Sequence, residues 1–371
     1  MNAYYKIILM VLLSAALFFG FFPDQDGNHG CNIERLHVFL LNLCTGGSVI
    51  LYYSEGRRVS NRVILFLVIS FAFTFSAFRE YYGFAIICAI LLAVITELVR
   101  NTRFSFFPSD FFKTSVPVSQ KFHHAALLCL SIALALSGVI MTMNTYFMIE
   151  LPQKMNIDIF FLGFSFPVSL ITMSLMFSFM EGSKKTLIMI IQESSFWIIN
   201  TGVIVFFLFI ILELETAQAV ISTVLFISVV VIFVLFRKIA GDIQQKVFLT
   251  SGILFLVMTA VTGIGYIIIK NMMINIPGIP ERGYPDLMML VHRYISLYGW
   301  NLTGLFIIIR YNDFPLRLNS LKFISAHWMT VVLLSPIGKF NFPVGIIAMT
   351  AYGVLLFMAL LSSGSDKKAL S

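Results

Sequence analysis

Imidazoles and carboxylates set inside otherwise apolar runs are the first candidates for chemistry in this 371-residue chain. Its six histidines are His29, His37, His123, His124, His292 and His327. His37 and His292 each open a long apolar stretch, where histidine is uncommon and usually meets a partner, a cavity or a metal. Two such histidines at one depth can clasp a heme iron, for which imidazole is a common axial ligand. They serve equally well as hydrogen-bonding groups to main-chain carbonyls or to Tyr and Ser neighbours, so the pair alone leaves both readings open.

A second candidate is the polar stripe Gln192-Glu193-Ser194-Ser195 followed by Asn200, in which Glu193 is the most deeply set carboxylate. Facing the bundle interior, Glu193, Gln192 and Asn200 would form a path for protons or substrate. Facing a neighbouring helix, they would be a hydrogen-bonded contact. The segment Asn271 to Leu287 contains Ile276-Pro-Gly-Ile-Pro280-Glu-Arg-Gly-Tyr284-Pro285 and is expected to form a rigid, turn-rich cap just before His292. Arg282 and Arg293 could there meet heme propionates or another anion, or simply face headgroups and water.

Other chemistries lack their residues. Cys31, Cys44, Cys88 and Cys129 form no CxxC or CxxCH, which excludes covalent c-type heme and a thiolate cluster. Zinc-protease, serine-hydrolase and phosphate-loop motifs are absent, so no catalytic residue is assigned.

The elements that must position these groups follow from hydropathy. Hydrophobic residues make up 59% of the chain and charged ones 12%, with a mean hydropathy of +0.92, which lies outside the soluble globular range. A membrane-crossing helix needs roughly 20 mostly apolar residues. Such runs occur near 4–22, 34–53, 61–79, 82–99, 123–146, 157–180, 185–212, 216–236, 246–270, 287–310, 320–338 and 342–362, predicting twelve spans in a single all-α domain over 1–371. The first run lacks a small-x-small cleavage site and is kept as a helix rather than a signal peptide. Spans three and four are split only around 79–82, and the last two only around Lys339 to Pro343. The longest polar stretch, Arg100 to Phe122, reads as a loop.

Loop charge orients the spans. Alternate loops hold Arg57, Arg58, Arg62; Arg100, Arg103, Lys113, Lys121; Lys184, Lys185; Arg237, Lys238, Lys246; Arg310, Arg317, Lys322; and Lys367, Lys368. The other loops are rich in acids, among them Asp24, Glu80, Glu150, Asp158, Glu213, Glu215 and Asp286. The positive-inside rule puts the basic set and both termini in the cytoplasm, with a bacterial inner membrane as the expected location. The net charge of +7 is thereby topological, and nucleic acid is not an expected partner. The same topology puts His37 and His292 at a similar shallow depth under the outer face, and His123 and His124 at the cytoplasmic mouth of span five.

The surroundings of these histidines carry a resemblance. Span two reads Arg35-Leu-His37-Val-Phe-Leu-Leu-Asn-Leu-Cys-Thr-Gly46-Gly47; span ten reads His292-Arg-Tyr-Ile-Ser-Leu-Tyr-Gly299-Trp300; span eleven carries Ala326-His327-Trp328. In order and depth this resembles the large subunit of the heme-copper oxidases and their nitric oxide reductase relatives. That family has twelve core spans, a glycine-rich stretch after a span-two histidine, and a His-x-His before Gly-Trp in span ten. The resemblance covers the spans near both ends and hardly the middle. It implies heme b near the outer face, with His37 on one side of the iron and His292, Tyr294 or an external ligand on the other, and with Arg293 and Trp300 beside it.

The departures are as informative. Tyr294 stands where the second histidine of the family's His-x-His would bind the low-spin heme. Span six reads Asp158-Ile-Phe-Phe-Leu-Gly163-Phe164-Ser-Phe-Pro167, with Phe164 near an expected Gly-His, and spans seven and eight have no histidine. A copper site of imidazoles is therefore not expected. The sequence predicts a heme-binding membrane protein for electron transfer, gas (oxygen or nitric oxide) binding or an accessory respiratory role, with other respiratory subunits, a cytochrome or a quinol donor as partners. The rival classes are a secondary transporter or channel, and a cofactor-free structural subunit.

Overall fold

The computed structural model describes residues 1–21, 33–149, 153–181, 185–241, 243–273 and 283–363. His29, Cys31, Arg282 and the turn at 274–282 lie outside these residues. The described chain is all-helical, and a helix with an internal π-helical stretch is counted here as one. In chain order the helices are α1 (Ala3–Phe21), α2 (33–54), α3 (Asn61–Phe78), α4 (Tyr82–Asn101), α5 (Val118–Tyr146) and α6 (Gln153–Ser178). They continue as α7 (Thr186–Ile211), α8 (Glu215–Ile239), α9 (Lys246–Met273), α10 (283–309), α11 (321–338) and α12 (Phe342–Leu361). Among the described residues, ten are long and apolar enough to cross a membrane, all but α6 and α10.

Boundaries follow local chemistry. Ser60 and Asn341 cap α3 and α12 by accepting the Val63 and Val344 amides. Glu80 adopts a φ of +60° in the break between α3 and α4. One boundary departs from expectation. Helix α5 begins at Val118, directly after Pro117, so Lys121 and Phe122 are helical rather than part of a loop. Proline is favoured at a helix start because it has no amide proton to leave unpaired there.

The helices run up and down, and side-chain contacts fix which ends meet. At the end bearing the basic loops, Lys6 of α1 pairs with Asp313 after α10 at 2.6 Å, and Ser54 of α2 meets His123 of α5 at 2.7 Å. Arg100 of α4 meets His124 at 2.8 Å, and Arg310 donates to the Ala359 and Leu360 carbonyls at the end of α12. At the other end Lys270 of α9 pairs with Glu215 of α8 at 2.7 Å. Helix α2 is buried along nearly all of Leu36–Ser54 and packs inside the bundle, whereas α8 exposes Val220, Val224, Ile227, Val231 and Val234. Such an apolar outer surface suits lipid and not water.

Three helices switch from α- to π-helical winding: Phe39–Gly47 in α2, Ile295–Asn301 in α10 and Met329–Leu334 in α11. Each switch comes within three residues after a histidine, His37, His292 or His327. π-Helical turns are rare and concentrate at functional sites.

Candidate functional site

The cavity of interest holds about 230 Å³ and is walled by α6, α7, α8, α9 and α10. Its surface is mostly apolar, from Phe166, Met173, Ile199, Phe206, Leu225 and Leu256, with Ser165, Ser169, Thr259, His292, Ser296 and Asn301 as polar points. Apolar walls with a few convergent polar groups are the usual composition of a small-molecule site.

His292 is the titratable group on this wall. Its Nδ1 lies 2.9 Å from the Thr259 carbonyl oxygen and 3.4 Å from the Thr262 hydroxyl, both on α9. A carbonyl only accepts, so Nδ1 carries the proton and donates, and the neutral ring keeps its lone pair on Nε2. Metal-ligating histidines are commonly held in this way, with the distal nitrogen tied to a carbonyl. Space for the ring comes from Gly263, where a Cβ would stand 3.1 Å from Cε1 of His292.

Trp300 lines the same cavity and donates from Nε1 to the Ser169 hydroxyl on α6 at 2.7 Å. Next to it, Asn301 donates to the Ser165 hydroxyl at 2.9 Å and reaches Asn42 of α2 at 3.5 Å. Among the described residues, the oxygen of Asn301 and the amide nitrogen of Asn42 are buried without a hydrogen-bond partner.

His37 belongs to another compartment. Its ring stacks on Tyr298 with centroids 6.0 Å apart and abuts Gly20 of α1. Tyr294 stacks on Tyr298 and on Phe21 at 5.6 Å each, and Tyr352 of α12 closes the group. His37 and Tyr294 do not line the cavity. Two residues along a helix turn the side chain by about 200°, so Tyr294 and His292 face opposite sides of α10. A single iron clasped between His37 and His292 therefore does not fit this arrangement. Both ring nitrogens of His37 are buried without a hydrogen-bond partner among the described residues, with Lys339 and Arg293 within electrostatic reach. Arg293 itself is exposed.

His327, Glu193 and Asn200 have structural partners. His327 donates from Nε2 to the Tyr298 carbonyl at 2.8 Å, joining the π-helical stretch of α10 to α11. Glu193 accepts from Lys121 of α5 at 2.7 and 2.8 Å, and Asn200 donates to the Phe196 carbonyl of its own helix. With Gln192, which is half-buried on α7, these residues stand apart from the cavity walls. Phe164 is fully buried between Phe39 of α2 and Phe73 of α3, and its neighbours Ser165 and Phe166 face the cavity instead.

Sequence reading passed over Asn42, Ser165, Asn301 and the Thr259 carbonyl. The two asparagines did carry a signal, since an amide in mid-span has to find an interhelical partner. A main-chain carbonyl carries none. No family model matches this chain, and no curated protein matches it.

Proposed function

We propose that this chain is a polytopic membrane protein that binds one b-type heme in the α6–α10 cavity, with His292 as the iron ligand. The observation that carries the reading is the contact of His292 Nδ1 with the Thr259 carbonyl, which leaves Nε2 as the atom that would coordinate the iron. Chemistry and geometry favour ligation from one side only, which suits binding of a small gas such as nitric oxide more than electron transfer. A heme supplies the iron that takes such a ligand; the chain supplies an apolar chamber with Ser165, Ser169 and Asn301 as hydrogen-bonding points. A porphyrin needs more room than the cavity of about 230 Å³ has. Helix α7, the least buried of the candidate spans, is the wall that has to yield.

The test is the optical spectrum of protein made with ample heme. A Soret band that persists in wild type and is lost in His292→Ala supports the reading, and colourless wild-type protein ends it. The transporter reading has less support, because its carboxylate, Glu193, is bound to Lys121 away from the cavity. Proton-coupled uptake abolished in Glu193→Gln would restore it.

The same reading takes all twelve helices as crossing the membrane, with the basic loops and both termini in the cytoplasm of a bacterium. It rests on the alternation of loop charge and on the side-chain contacts among helix ends carrying basic residues. A phosphatase reporter fused after Glu213 should then be active, and one fused after Lys185 inactive. The reverse result would invert the topology.

A further inference from the structure

A groove of about 690 Å³ runs along the outer face of α11 and α12, remote from the cavity. Its composition changes from one end to the other. At the start of α11 it is lined by Arg317, Ser320 and Lys322; farther along, Thr330, Ile347 and Val354 form its walls. Helices α11 and α12 are antiparallel, so the basic end lies beside Met358 near the close of α12, and the apolar end beside Ile346 near its start. From Ile346 to Met358 the groove follows 12 residues, roughly 18 Å of helix at 1.5 Å per residue.

The charges at the basic end differ from the buried cations of the bundle. Lys6, Arg100, Lys121 and Arg310 all hold carboxylates or main-chain carbonyls. Arg317 and Lys322 are exposed, line the groove, and pair with no carboxylate among the described residues. Among the described residues, no Asp or Glu lines the groove. The amino terminus of α11 adds the positive end of a helix dipole at the same place. Ser320 caps that terminus by accepting the Phe323 amide.

We propose that this groove is a binding site for one anionic phospholipid, its phosphate held by Arg317 and Lys322 and an acyl chain lying along Thr330, Ile347 and Val354. A zwitterionic lipid offers the same chains, but its choline or ethanolamine cation would face two unneutralised side chains. Basic recesses between membrane helices are the usual place for anionic headgroups, and each cation near the surface is worth about fivefold in affinity. The site does not depend on the heme reading.

The test is native mass spectrometry of protein released from nanodiscs containing equal phosphatidylglycerol and phosphatidylcholine. Wild type should retain one phosphatidylglycerol. The Arg317→Ala/Lys322→Ala variant should lose it by about 25-fold, and Thr350→Trp should block it sterically with both cations present. Thr350 is an exposed groove residue, so the indole fills the groove without entering the core. Equal retention of phosphatidylcholine, undiminished retention by either variant, or a second copy of the chain in place of lipid would each overturn the proposal.

Discussion

The Nδ1 of His292 stands 2.9 Å from the main-chain oxygen of Thr259, and this contact decides which ring nitrogen is free to act. The carbonyl belongs to α9 and the imidazole to α10, so the ring is oriented by a neighbouring helix and not by its own. The sequence offers His37 and His292 as a pair; the structure joins each to a different neighbour. His292 goes with α9 and the cavity, and His37 with Tyr298 and Gly20.

This separation predicts opposite effects for two substitutions. His292→Leu should abolish heme absorbance. His37→Leu should leave it intact and raise the stability of heme-free protein by about 1–2 kcal/mol, because two buried nitrogens without partners among the described residues are replaced by methyl groups. Absorption spectra and thermal midpoints in detergent measure both. A loss of colour in His37→Leu would move the iron to the α1–α2 compartment.

Gly263 gives a finer probe of the same ring. A methyl group there would stand 3.1 Å from Cε1 and 3.3 Å from Nδ1 of His292, so the ring must shift by a few tenths of an ångström. Gly263→Ala should therefore weaken the Thr259 contact and shift the Soret maximum, with helix content unchanged by circular dichroism. An unaltered spectrum would mean that the ring is not positioned by α9.

Much of this was legible in the chain, and what was not has a physical cause. Apolar runs set the helices because hydrocarbon leaves a main chain few other ways to satisfy its hydrogen bonds. Even the narrow break after Phe78 could be read, since Arg79 and Glu80 interrupt the run. The sequence does not reveal π-helical winding, because the same residues suit α-helix. Hence the direction of Tyr298, and with it the compartment of His37, could not be derived from spacing. Glu193 is also ambiguous in sequence: its partner Lys121 is 72 residues away and lies in a polar stretch that reads as a loop, whereas α5 starts at Val118.

The Lys121–Glu193 pair should be structural. Lys121 is 1% exposed and Glu193 25%, so Glu193→Gln leaves an ammonium buried beside a neutral amide. The expected loss is about 3 kcal/mol, the low end for a broken buried pair because Glu193 keeps some contact with solvent. The double replacement Lys121→Met/Glu193→Leu should recover most of it. Denaturant or thermal unfolding of the three proteins tests this. A Glu193→Gln protein of full stability that has lost its function would instead make the carboxylate a working group.

The α6–α10 wall of the cavity depends on a close approach at Gly304. A Cβ there would overlap Oγ1 of Thr172 and stand 2.8 Å from its Cγ2 and 2.9 Å from its Cβ. Thr172 cannot swing away freely, because its hydroxyl donates to the Val168 carbonyl within α6 and the residue is fully buried. Gly304→Ala should therefore push α10 from α6 and cost about 1–3 kcal/mol, as overpacked cores do. Since Ser169 and Trp300 bridge the same two helices four or fewer residues away, the displacement should also lengthen their 2.7 Å contact and raise Trp300 fluorescence sensitivity to polar quenchers. Thr172→Ala removes the hydroxyl and the methyl, but not the Cβ, and should rescue the variant in part; Thr172→Gly should rescue it further in packing, less what a helical glycine costs, about 1 kcal/mol. Equal stability of Gly304→Ala and wild type would show that the two helices are not held at this distance, and the cavity between them would then have a different shape.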